Sequence, residues 1–92
     1  MSDERKVESE FVVKSQLGLH ARPAGRFAAR AARFESEISV GRGGEWVDAR
    51  SVLSLLSLAA GPGTRLRLRA VGPDAEAAVA ALGQLLEDPE TV

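Results

Sequence analysis

Arg65-Leu66-Arg67-Leu68-Arg69-Ala70 alternates a basic and an apolar residue three times over. A period of two belongs to a strand with one face on a core and the other in water. The sheet that holds it is therefore covered on one side only. Val7 to Val13 repeats the pattern, with Val7, Ser9, Phe11 and Val13 on one side and Glu8, Glu10 and Val12 on the other. Opposite charges on adjacent strands favour pairing, so these glutamates would pair with the arginines if the two strands are neighbours. Exposed pairs contribute under about 1 kcal/mol each, which makes them a matter of register and solubility rather than function.

Five more elements follow outward from these strands. Lys14 to Leu19 is a loop pivoting on Gly18, and a helix from Ala21 to about Arg33 places Ala24, Phe27, Ala28 and Ala31 on one face. Pro23 is tolerated there because the first turn of a helix needs no N–H from it. Glu37 to Gly41 is a strand with Ile38 and Val40 inward, and Arg42-Gly43-Gly44 turns it into a hairpin with Glu45 to Ala49. Ser51 is an N-cap for a short helix from Val52 to about Leu58, and Gly61-Pro62-Gly63 breaks the chain. After the arginine-rich strand, Asp74 caps a last helix with Val79, Leu82 and Leu86 inward, ended by Asp88-Pro89. The order is strand, helix, strand, strand, helix, strand, helix. With apolar residues for one covered face, the expected class is a two-layer α+β sandwich.

The 92 residues fit one domain over 1–92, with tails expected at 1–5 and 88–92. The 45% apolar content overstates the core, because fifteen of those residues are alanine. A core of that size favours a surface site over a deep pocket. The absence of cysteine excludes disulfides and thiolate metal sites, and one histidine gives no basis for a zinc centre, so neither metal nor cofactor is expected. Met1 to Lys6 is charged with no apolar stretch after it, and no run is long enough to span a membrane. The expected setting is the cytoplasm, with no membrane partner.

Charge is segregated along the chain. The first ten and last twenty residues carry nine acids against Arg5 and Lys6, a balance of −7. Residues 11–72 carry ten bases against Glu35, Glu37, Glu45 and Asp48, a balance of +6, which gives the net −1. A basic body attracts acidic protein surfaces or nucleic acid. Trp46 and three phenylalanines are too few and too scattered for a base-stacking platform, so no nucleic acid is expected.

The single histidine, His20, stands in Gly18-Leu19-His20-Ala21-Arg22-Pro23-Ala24, at the start of the first helix. Unpaired N–H groups and the positive helix end suit a phosphoryl group there. Amides of Ala21 and Arg22 are the expected donors, since Pro23 has none. The Arg22 guanidinium is suited to grip phosphate oxygens. Thirty-one residues after His20 comes Ser51-Val52-Leu53-Ser54-Leu55-Leu56-Ser57-Leu58. The two motifs, their separation and the order of all seven elements over about residues 6–87 resemble the HPr family, the histidine-containing phosphocarriers of the bacterial phosphoenolpyruvate-dependent phosphotransferase system.

The resemblance implies an open-faced β-sandwich, a four-stranded antiparallel sheet with three helices on one face. It implies a carrier rather than an enzyme with its own turnover. Enzyme I would phosphorylate His20 at Nδ1 from phosphoenolpyruvate, and IIA-type proteins would accept the group. Nε2 would be left for a hydrogen-bond partner that fixes the tautomer. Either a sugar-uptake branch or a nitrogen-related regulatory branch fits, and the Leu17–His20 and Ser51–Leu56 stretches look closer to the latter. The domain is expected to be a monomer.

Other residues carry secondary expectations. Arg26 and Arg30, with Arg33, continue from Arg22 at helical spacing and form either a solvated stripe or a docking face for acidic partners. In several family members the basic residues fall where this chain has Ala29 and Ala32. Val52, Leu53 and Leu56 lie on a short helix with little polar surface, which suggests an apolar patch beside His20 that partners cover. Ser51 matches the serine that a dedicated kinase phosphorylates, and a phosphorylase clears, in some branches of the family. The alternative to the carrier is a non-transferring regulatory module controlled through Ser51. Retention of His20 argues against it.

Overall fold

The computed structural model describes residues 5–89. Residues 1–4 and 90–92, most of the two expected tails, lie outside that range. The chain runs β1 (Arg5–Val12), α1 (Ala21–Ala31), β2 (Glu37–Arg42), β3 (Glu45–Asp48), α2 (Val52–Ser57), β4 (Arg65–Gly72) and α3 (Ala75–Glu87). The strands form one antiparallel sheet in the order β1-β4-β2-β3, so the arginine-rich strand lies inside it. Leu66, Leu68 and Ala70 are fully buried and meet Ile38 and Val40 of β2 on the covered face. Phe27, Ala24 and Ala31 of α1, Leu55 of α2, and Val79, Leu82 and Leu86 of α3 complete that core. This is the open-faced sandwich expected from the sequence.

β1 and β4 are neighbours, and the charges on the wet face pair with a diagonal offset. Glu8 lies across from Arg69 and Glu10 across from Arg67, yet Glu8 pairs with Arg67 and Glu10 with Arg65 at 3.8 Å. Trp46 lies on the same face over Gly41, where a Cβ would come within 2.9 Å of the indole. The Arg69 guanidinium stacks 4.0 Å above its ring centre, a cation–π contact. The β2–β3 turn is a two-residue Gly43-Gly44 loop with Gly43 at φ 61°, because Arg42 pairs with Glu45 at the end of β2 instead of joining the turn as expected.

Three sequence expectations need correction. First, α1 stops at Ala31 instead of about Arg33. The N–H groups of Arg33 and Phe34 bond three residues back, to Arg30 and Ala31, which tightens the last turn and lets Phe34 pack against the core. Second, Asp74 occupies the N-cap position of α3 but its side chain makes no cap bond. Its carboxylate accepts from the N–H groups of Glu35 and Ser36, both at 2.9 Å, and from the Ser36 hydroxyl at 2.5 Å. These bonds, led by the Ser36 hydroxyl and then the Glu35 amide, hold its pKa below the ordinary aspartate value. The residue therefore clips the α1–β2 loop to the start of α3. Third, β3 ends at Asp48 rather than Ala49, although the Ala49 N–H still reaches the Ile38 carbonyl at 3.0 Å.

Candidate functional site

His20 is the N-cap residue of α1, with extended backbone (φ −90°, ψ −171°). Its carbonyl accepts the first helical bond, from Ala24 N–H at 2.9 Å. The N–H groups of Ala21 and Arg22 precede that bond, and a helix offers them no internal partner. The His20 side chain caps nothing and is half-buried. Its Nε2 is buried with no hydrogen-bond partner among the described residues, so the partner expected to fix the tautomer is not there. Nδ1 is not among the buried unbonded atoms and forms no hydrogen bond among the described residues. Arg22 is exposed and makes no ion pair among the described residues. Two amides, both ring nitrogens and one guanidinium thus stand without partners among the described residues, within three consecutive residues.

The loop before His20 is held from the other side of the site. Leu19 N–H donates to the Ala60 carbonyl at 2.8 Å. Gly18 has φ 72°, and a Cβ there would lie 2.5 Å from the Ala60 oxygen and 2.7 Å from Gly61 Cα. No other residue fits that position, for conformation and for space. Beneath the loop, Val13, Ser15, Leu19, Pro23, Phe27 and Leu86 surround a cavity of about 10 Å³. The site is a surface with a packed floor.

A short apolar helix flanks it. Ser51 caps α2 as expected, its hydroxyl accepting from Ser54 N–H at 3.2 Å. Leu55 and Leu58 are buried, Leu56 is half-buried against the core, Val52 is exposed, and Leu53 is 81% exposed. Leu17, in the loop that carries His20, is 73% exposed. The sequence reading overlooked it, although an apolar residue between Gln16 and Gly18 in a polar loop is a visible signal.

A family model described as the PTS HPr component phosphorylation site matches residues 7–88. The chain belongs to the HPr family. HPr-like protein Crh of Halalkalibacterium halodurans is 42% identical over 81 residues, 88% of this chain and 96% of that relative. Phosphocarrier protein NPr of Shewanella violacea is 39% identical over 82 residues, 89% of this chain and 90% of the relative. The crystal structure of phosphocarrier protein HPr from Bacillus anthracis matches at a TM-score of 0.85 and 36% identity, covering 88% of this chain and 96% of that one.

Against that HPr-family frame, Arg26 and Arg30 lie one and two turns along α1 from Arg22, both exposed. With Ala29, Arg33 and Leu85 they line a shallow groove of about 280 Å³ that turns toward α3 rather than α2. The two sets of docking candidates are thus split: Val52, Leu53 and Leu56 on α2, the arginines on the far side of α1. Among the described residues no cluster of histidine and carboxylates is placed to hold a metal, and no helix is long and apolar enough to cross a membrane.

Proposed function

We propose that His20 accepts a phosphoryl group at Nδ1 from phosphorylated enzyme I, ultimately from phosphoenolpyruvate, and passes it to IIA-type proteins. The observation that carries this reading is His20 at the N-cap of α1, with Nε2 buried and unbonded among the described residues, beside the first-turn amides and Arg22. With its proton on Nε2 the ring presents the Nδ1 lone pair for attack. The N–P bond forms as the donor's bond to phosphorus breaks, and the second transfer reverses this toward the acceptor. Ala21 and Arg22 amides and the Arg22 guanidinium receive the phosphoryl oxygens. The chain itself turns over nothing. Its partners supply the remainder of the transition state.

Partners dock over Leu53, Val52 and the exposed part of Leu56, while Arg26 and Arg30 attract acidic surfaces. The carrier works in the cytoplasm as a monomer, with no nucleic acid or membrane partner. A second reading, regulation through phosphorylation of Ser51, draws support from the similarity to a Crh protein. Phosphate on the hydroxyl that caps α2 would add negative charge beside the docking helix and repel acidic partners.

Incubation with phosphoenolpyruvate and enzyme I from the same source should yield an acid-labile, base-stable phosphate. Absence of label, or equal labelling of His20→Ala, would refute the carrier. The IIA proteins that accept the label then assign the sugar or nitrogen-related branch. Phosphate appearing on Ser51 alone, with His20 inert, would establish the regulatory module.

A further inference from the structure

We propose that Arg42, on the β2–β3 hairpin, is a positioning residue for phosphoryl transfer at His20, acting through the turn that ends α2. This role rests on the carrier function proposed above.

The need for Arg42 arises in α2 itself. A helix leaves its last carbonyls unpaired, and their partial negative charge favours a cation. In this helix the last turn, Leu55-Leu56-Ser57, holds no basic residue. The chain beyond it cannot use glycine for the reversal either: Ala59 takes the left-handed conformation at φ 51°, a strained choice for a residue with a Cβ. Arg42 supplies from another element what the helix lacks. Its Nη1 donates to the carbonyls of Leu58 at 2.7 Å and Ala59 at 2.8 Å. One guanidinium nitrogen therefore holds the carbonyls of the two peptides that flank Ala59 and fixes its left-handed step.

The next residue connects the turn to the site. Ala60 offers its carbonyl to Leu19 N–H at 2.8 Å, and Gly18 packs on Ala60 and Gly61 with no clearance for a side chain. Leu19 directly precedes His20. The contacts are continuous from the Arg42 guanidinium to the Leu58 and Ala59 carbonyls, then to the Ala60 carbonyl, then to Leu19 and His20. Because Gly18 has no free space against Ala60, a displacement of the 58–60 turn moves the loop with it. Arg42 touches no reacting atom. It sets where the imidazole and the first amides of α1 stand.

The test compares wild type with Arg42→Met, which keeps much of the side-chain stem and removes the donors, and with Arg42→Lys, which keeps a charged donor. Arg65→Met, on the wet face of the sheet, is the control. Two readouts are needed. One is amide exchange at Leu19, beside Leu68 as a monitor of the sheet. The other is single-turnover phosphorylation of His20 at saturating phospho-enzyme I, which removes any change in docking affinity. In Arg42→Met, Leu19 exchange should rise and the phosphorylation rate fall, each by about fivefold or more, with Leu68 unchanged. Arg42→Lys should lie between, and Arg65→Met should match wild type. Arg42→Leu, which also lacks a donor, carries the same expectation should the methionine variant fail to fold. A change in only one of the two readouts, or both within about twofold of wild type, overturns the inference. If wild type accepts no phosphate on His20, the carrier reading fails and the positioning role falls with it. Leu19 exchange then still tells whether Arg42 holds the loop.

Discussion

The α1–β2 loop leads from a helix to a strand and the His20 loop from a strand to a helix, and they treat their polar groups in opposite ways. At the first, the Asp74 carboxylate accepts two amides and a hydroxyl, and Ser36 is buried beneath it. At the second, His20 Nε2 has no partner, Arg22 has no counter-ion among the described residues, and Leu17 and Leu53 face water. One region satisfies its polar groups within the chain, and the other leaves them unpaired among the described residues. Substitutions at the first should therefore register in stability, and at the second in transfer.

The sharpest break of that contrast is at His20. His20→Ala should lose all phosphate labelling. Because it removes a buried nitrogen with no bond, its thermal stability should stay within about 0.5 kcal/mol of wild type or rise. A large fall in melting temperature would show that the imidazole belongs to the scaffold after all. Next is Gly83→Ala in α3, where a new methyl would collide with the Phe11 ring of β1. Overpacking of this kind costs about 1–3 kcal/mol, and urea unfolding should show it with labelling of the folded fraction unaffected.

Asp74→Asn should lower the melting temperature at neutral pH, and the difference should shrink in acid. Asp74 has a folded pKa below its unfolded value, so the unfolded chain binds its proton first as pH falls. Its stabilisation is complete above the unfolded value of about 3.9 and disappears as pH drops through the folded one. Melts of both proteins between about pH 2 and pH 7 test this, and a difference that stays constant across the range would contradict it. The smallest expected effect is at Leu53. Leu53→Ser should raise KM for a partner about tenfold, about 1.4 kcal/mol, while leaving unfolding unchanged. Unaltered KM would remove α2 from the docking surface.

Much of the fold was legible because local pattern and tertiary role agree. The alternation of Arg65 to Ala70 announced a sheet covered on one side, and the charges of Glu8 and Glu10 were compatible with the β1–β4 adjacency without requiring it. The proposed site at His20 could be read from the chain because its candidate groups, the histidine, two amides and Arg22, are contiguous. The misses share a different cause. Asp74 looks like a cap in its own segment, and only the fold brings Ser36, 38 positions away, within reach of its carboxylate. Arg42 reads as part of a turn until the hairpin carries it to carbonyls 16 and 17 residues on. The end of α1 was misplaced because Ala32 and Arg33 favour helix, while Phe34 has to turn inward. Contacts of this range leave no periodic trace in the chain.

Trp46 gives the protein a built-in optical label. It is the sole tryptophan, held between Gly41 and the Arg69 guanidinium on the face of the sheet opposite the helices. Its emission depends on β2, β3 and β4 remaining assembled, because those strands supply Gly41, Trp46 itself and Arg69. Partners that cover α1 and α2 leave that environment untouched. Intrinsic fluorescence will therefore follow unfolding faithfully and stay blind to docking, so a binding assay needs a dye placed on the helical side.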